Sequence, residues 1–163
     1  MIMYQIRRAR DCDLPRIQEI YAYAREFMAQ TGNPNQWGRT HPPRQQLEAD
    51  IPAGNLYVAE NETGIHGVFA FILGEDPTYS YMEDGSWHYE GPYGTIHRIA
   101  SDGSGGMFTA AMNYCKGVIS HLRIDTHHDN RVMQHVIEKH GFARCGVIYV
   151  SDGTPRIAYD WKA

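Results

Sequence analysis

TIHRIASDGSGGMFTAAMNYC, residues 95–115, passes from an apolar, β-branched run through a turn of glycine and serine into residues spaced for one helix face. GTIHRIAS reads as a strand, and Met107 to Val118 as a helix with Met107, Ala110, Ala111, Tyr114, Cys115 and Val118 turned inward. The following LRIDT reads as a short buried strand. Strand, helix and strand in that order predict a right-handed parallel crossover, with the glycine turn at the helix N-terminus. Gly103, Gly105 and Gly106 permit positive φ and close approach of a ligand, while the first free N–H groups of a helix carry partial positive charge. That combination suits a pyrophosphate. The spacing is not the G-x-G-x-x-G dinucleotide fingerprint, and no Gly-Lys-Ser/Thr ends it as in a Walker loop. By itself, such a cluster also reads as a plain flexible turn.

Outward from this unit, MYQIRRA alternates as an edge strand, and DCDLP offers Asp13 as a helix cap. Ile17, Ile20, Tyr21, Ala24, Phe27 and Met28 then trace one stripe of a helix ending near Gly32. After the loop TGNPNQWGRTHPP comes a short helix around RQQLEADI, then the strands NLYVAEN and GIHGVFAFILGED, joined at ETG. Residues 74–93 hold five aromatics with glycine and proline but no helical period, which predicts an elaborated loop or extra hairpin near a site. A second helix opens at Asn130 and closes at Gly141, and ARCGVIYV, an SDG turn and RIAYDW form a closing hairpin. With no repeat or linker, residues 1–163 read as a single α/β domain around one mixed sheet.

The totals narrow the partners. A net charge of −4 with scattered arginines and lysines argues against nucleic acid. Cys12, Cys115 and Cys145 form neither a C-x-x-C pair nor an even disulfide set, which fits a reducing, cytoplasmic setting. MIMYQIRRARDCD has no apolar segment of signal-peptide length, and no run reaches the roughly 20 apolar residues that span a bilayer, so no membrane role is expected.

HRIAS, the glycine turn, the helix to NYC, LRIDT and then NRVMQHVIEKHGF resemble the acetyl-coenzyme-A-binding core of the GNAT superfamily of N-acetyltransferases. The N…EKHGF segment before a hairpin is the most specific piece, and the order of elements extends the resemblance over essentially the whole chain. GNPNQWG, GVFAFILGEDPTY, PYGTIHRIAS and RIDTHHDN suggest a small bacterial branch. The resemblance implies a mixed, mostly antiparallel sheet with a central parallel pair flanked by helices. Acetyl-coenzyme A, as co-substrate, would lie where HRIAS and LRIDT part. Its pyrophosphate would rest on Gly103, Ser104, Gly105, Gly106 and Met107, its pantetheine along Ile99, Ala100 and Ser101, and Asn130 would touch the same arm. A homodimer through the final strands is a further expectation from the family. Two departures stand out: SDGSGGMF is short and lacks the family's Arg or Gln, and Ile137 stands where many members have a tyrosine that protonates the leaving thiolate.

Acetyl transfer to an amine needs a base, a dipole for the developing oxyanion, an acceptor pocket and, helpfully, an acid. His97 is the leading base, since imidazole titrates near ~6.5 and related enzymes place a histidine on this strand; a structural histidine bonded to a carbonyl is the alternative. Asp125 is the second candidate base, with a loop-fixing role as its alternative. Tyr79, Tyr81 and Tyr93 can substitute for the missing acid, and a thiolate of pKa near ~8.5 can also leave unaided. Asn33, Asn35, Gln36 and Trp37, with Tyr79 and Tyr81 of the aromatic loop, are the candidate acceptor contacts, although Trp37 alone reads equally as packing on the sheet. His127 and His128 lack a third ligand at metal spacing, so no metal is expected. The primary reading is an N-acetyltransferase acting on a primary amine of a small molecule or peptide. A non-catalytic coenzyme-A or acyl-coenzyme-A sensor, or an interaction domain without cofactor, is the alternative.

Overall fold

The computed structural model describes residues 3–163. β1 (Gln5–Arg8) leads through a 3-10 turn, Asp11–Asp13, into α1 (Leu14–Gln30) and then α2 (Arg44–Ala53). β2 (Leu56–Asn61) and β3 (Gly64–Leu73) form a hairpin, and β4 (Gly94–Ser101), α3 (Met107–Val118) and β5 (His121–Thr126) form the crossover unit. α4 (Arg131–Lys139) precedes the closing hairpin of β6 (Ala143–Tyr149) and β7 (Pro155–Lys162). The sheet runs β1-β2-β3-β4-β5-β7-β6; β4 and β5 are parallel and every other neighbouring pair is antiparallel.

Each face of the sheet buries its own helix pair. On one face Ile17, Ile20, Tyr21 and Ala24 of α1 and Leu47 of α2 pack on Leu56, Val58, Val68, Ala70 and Ala100. On the other, Met107, Ala111, Met112 and Cys115 of α3 and Met133 and Ile137 of α4 cover Phe69, Phe71, Ile96, Ile99, Ile124 and Tyr159. Burial of side chains of this size stabilises by roughly 1.5–3 kcal/mol each, which is why apolar stripes at helical spacing determine the layers. α3 differs from expectation at two positions: Val118 is 47% exposed, while Met112 is fully buried. Val118 is the last residue of the helix.

Asp13 stands at the N-cap position of α1, but its side chain makes no cap bond to that helix. Its carboxylate instead accepts from the Arg10 amide at 2.8 Å and from the Arg7 guanidinium at 2.8 and 3.0 Å. Asn130 does cap α4, its Oδ1 accepting from the Met133 amide at 3.0 Å, and Gly141 closes that helix at φ 90°. Asn130→Ala is expected to lower the unfolding free energy by about 1 kcal/mol, measured by urea denaturation.

The strand that lines the site is irregular. Ala70 pairs with His97 and Val68 with Ala100, so Arg98 and Ile99 together oppose Phe69, which is a β-bulge. Arg98 takes φ 51°. Three contacts hold it there: its Nη2 donates to buried Asp50 at 2.6 Å, its carbonyl accepts from the Tyr21 hydroxyl at 2.7 Å, and Ile99 packs beneath. A non-glycine residue in this region costs of order 1–3 kcal/mol, so α1 and α2 maintain the bulge through these bonds.

Candidate active site

β4 bonds to β5 only over Gly94–Ile96 against Leu122–Ile124, after which the two strands diverge. From His97 to Ser101 the β5-facing edge of β4 is left open to a cleft of about 1020 Å³, walled by Ile96–Ser101, the glycine loop, α4 and the loop after α1. The exposed apolar residues Tyr23, Phe27 and Val132 stand around this cleft, which accounts for their position on the surface.

The glycine loop is built to present N–H groups. Gly103 (φ 94°) and Gly106 (φ 83°) take left-handed backbone, and a Cβ on Gly103 would meet the Tyr23 hydroxyl at 2.6 Å. Asp102 organises the turn: Oδ1 accepts from the Ser104 amide at 3.0 Å, while Oδ2 accepts from Arg16 Nη2 at 2.7 Å and lies 2.7 Å from His66 Nδ1. The Tyr4 hydroxyl donates to the Gly105 carbonyl at 2.8 Å. The amides of Gly103 and Ser104 are thus engaged, by Ser101 Oγ and Asp102, whereas those of Gly105, Gly106 and Met107 have no acceptor among the described residues. These three donors open the N-terminus of α3 toward the cleft, where an anion is favoured.

His97 lines the same cleft from β4. Its Nε2 is 2.9 Å from Asp76 Oδ2, and Asp76 also accepts from the Thr78 amide and hydroxyl at 2.9 and 2.7 Å. Burial pushes the Asp76 carboxyl upward, but hydrogen bonds from His97 and Thr78 overcome it and hold the pKa at about 2. Because ionised Asp76 can only accept, Nε2 carries the proton and the free lone pair is on Nδ1. A carboxyl depressed from 3.8 to about 2 stabilises the fold above pH ~4 and loses that contribution as pH falls toward ~2. Asp76→Asn is therefore expected to remove about 2 kcal/mol near neutral pH and to flatten the acid limb of stability, read from denaturant midpoints across that range.

Asp125 stands beside this dyad, its Oδ2 accepting from the Tyr79 hydroxyl at 2.6 Å. Burial raises its carboxyl above the ordinary range, against the pull of His97 and the Tyr79 bond. Tyr79 is itself buried, its phenol raised by burial and by Asp125, and it belongs to the aromatic floor with Tyr93 and Trp87 rather than to the cleft lining. Tyr81 is 60% exposed, donates to Glu83 at 3.0 Å and does not line the cleft. The Tyr93 hydroxyl accepts from the Asp76 amide at 2.7 Å, so it supports the loop that carries Asp76. Ile137 is fully buried in the core.

Asn35, Gln36 and Trp37 line the cleft, and Asn33 lies behind them. Gln36 Oε1 accepts from Asn33 Nδ2 and from Asn130 Nδ2, both at 2.9 Å, tying this loop to the start of α4. Trp37 packs edge-on to Tyr21 with centroids 5.6 Å apart. His127 is buried rather than solvated; it stacks on His128 at 4.3 Å, and with Asp129 the two present ligand atoms within 4.8 Å of one another. A similar cluster joins His88, Cys145 and Asp160. Sequence reasoning missed Asp76, Asp102 and the role of Arg98. The one available signal was the odd spacing of Ile96 and Ile99, which breaks strand alternation.

The divergent parallel pair, the bulged strand and the glycine loop at the head of α3 define an acyltransferase-type fold. No protein-family model and no curated protein matches the sequence. Among solved structures the chain is similar to a GNAT-family acetyltransferase from Streptococcus agalactiae, with 29% identity, 98% of this chain and 95% of that one covered, and TM-score 0.86. It shares its fold with a GNAT-family acetyltransferase from Listeria monocytogenes (15% identity, 98% and 95% covered, TM-score 0.71). It shares it also with a ribosomal-protein-alanine N-acetyltransferase from Brucella melitensis (18% identity, 98% and 99% covered, TM-score 0.62). The chain has the GNAT fold, and its likeness to the Streptococcus agalactiae protein supports acetyl transfer as its class of chemistry.

Proposed function

We propose that the protein is an acetyl-coenzyme-A-dependent N-acetyltransferase that acts on a primary amine by direct attack. The observation that carries this reading is one cleft lined by two devices: the free amides of Gly105, Gly106 and Met107 with the open edge of β4, and the His97–Asp76 dyad. The residues fit a long, anionic, amide-bearing co-substrate. Three N–H donors at a helix start suit its pyrophosphate, and an unpaired strand edge at Ile99–Ser101 suits its amide arm. Acetyl-coenzyme A supplies an activated acyl group.

His97 Nδ1 accepts the proton of the amine, and Asp76 holds the ring in the competent tautomer and stabilises the imidazolium. The backbone of the bulge at Arg98–Ile99 lies at the cleft wall, where fixed dipoles stabilise negative charge on a carbonyl oxygen. Tyr79 is committed to Asp125, and Ile137 has no proton to give, so the thiolate leaves without a dedicated tyrosine donor. A thiol pKa near ~8.5 makes that a moderate handicap. Titration calorimetry with acetyl-coenzyme A and thiol release in a panel of amines test the reading: micromolar binding with amine-dependent release supports it, and no detectable binding overturns it.

A further inference from the structure

Among the described residues, the buried and half-buried arginines have charge or ring partners except for Arg25, which is only half-buried, and Arg156, which is buried. Arg7 bridges Asp13 and Glu60, Arg16 meets Asp102 and Arg98 meets Asp50. Arg123 lies between the rings of Trp87 and Tyr93, 4.0 Å from each centroid. Arg156, near the start of β7, is 8% exposed and has no carboxylate within ion-pair distance. Nη1 donates to Thr154 Oγ1 at 3.0 Å and to its neighbour's carbonyl, Pro155 O, at 2.9 Å; Nη2 reaches only the Gln36 carbonyl at 3.5 Å. Enclosing a cation without an anion is costly, and burial indeed pulls the guanidinium pKa down. Asp125 and Asp152 attract it from longer range, and His127 stands close on the same side.

Nη1 of Arg156 is committed to its two acceptors, Thr154 and Pro155, which leaves the Nη2–Nε edge to meet a further one. Asp125 pairs directly with Ala158, and Arg156 lies two residues along β7 on the same face of the sheet. His97 lines the same cleft, so the wall carries a base, a carboxylate and a buried cation, and Gln36 and Trp37 also line it. We propose that the acceptor is an amine bearing a carboxylate, of the amino-acid class, whose carboxylate is held by the Arg156 fork while its amine faces His97. A planar guanidinium matches a carboxylate in two parallel hydrogen bonds, which gives orientation as well as attraction. This rests on the N-acetyltransferase reading and names the substrate class of the same site.

The test uses the coenzyme-A-saturated protein and ligand-observed NMR. The probes are the N-acetyl derivatives of L-alanine, L-phenylalanine and L-histidine, set against those of ethylamine, phenethylamine and histamine. Saturation transfer is expected to at least one carboxylate member and not to its matched amine, lost in Arg156→Gln and partly restored in Arg156→Lys. In turnover, the corresponding free amino acid should exceed its decarboxylated partner by at least about tenfold in kcat/KM, and Arg156→Gln should erase that ratio through KM. Calorimetry should show unchanged coenzyme-A affinity in both variants, which also reports that they fold. Equal binding of acids and amines, binding of neither, or equal losses for both in Arg156→Gln would overturn the carboxylate anchor. Failure of the wild type to bind acetyl-coenzyme A would instead overturn the transferase reading.

Discussion

Gly106→Asp is expected to weaken acetyl-coenzyme A binding about a thousandfold, because two penalties coincide at one residue. Gly106 sits at φ 83° as the residue preceding α3, where any side chain is strained. The added carboxylate would face an anionic pyrophosphate at the point where the helix presents its free amides, and like charges about 4 Å apart repel by about 4 kcal/mol at an effective dielectric near 20. Gly106→Ala carries only the backbone strain and should lose about tenfold. Calorimetry on both variants separates charge from strain: equal losses would show that the loop acts through its shape alone. Affinity unchanged in Gly106→Asp would remove the head of α3 from the co-substrate site.

His97→Ala is expected to lower kcat by roughly 10²–10⁴-fold with little change in the affinity for acetyl-coenzyme A. The loss should be accompanied by disappearance of the acid limb of the kcat/KM profile, since the proton acceptor is gone. Asp76→Asn should fall between this variant and the wild type, because an amide at that position can donate to Nε2 and reverse the tautomer that frees Nδ1. A full-rate His97→Ala with an unaltered pH profile would transfer the base role to Asp125, whose raised carboxyl lies beside it.

Much of this was legible because it is periodic or local. The stripe of α1 as far as Ala24, the cap at Asn130 and the glycine turn before Met107 are written within a few residues of sequence, and the structure has them where the spacing predicts, whereas Phe27 of the same stripe is exposed at the cleft. Asp76 was hidden for the opposite reason. It meets His97 across twenty-one positions, from an irregular loop whose shape depends on Tyr93 and on the packing of Trp87, so no local pattern marks it. Arg156 and Gln36 meet across a still longer interval. Val118 shows the limit of periodicity itself: it falls on the apolar stripe at the end of α3 and is nonetheless exposed.

The bulge in β4 also changes what a deletion would mean. Ile96 and Ile99 share one layer while His97 and Ala100 face the other way, so Arg98 acts as a parity switch in the strand. Removing that single residue would leave Ile96, His97, Ile99 and Ala100 on their present faces in a regular ladder, whereas straightening the bulge with Arg98 retained would set Ile99 toward α1 and Ala100 toward α3. The extra residue thus frees backbone at the cleft wall while leaving the side chains of both cores on their own sides of the sheet.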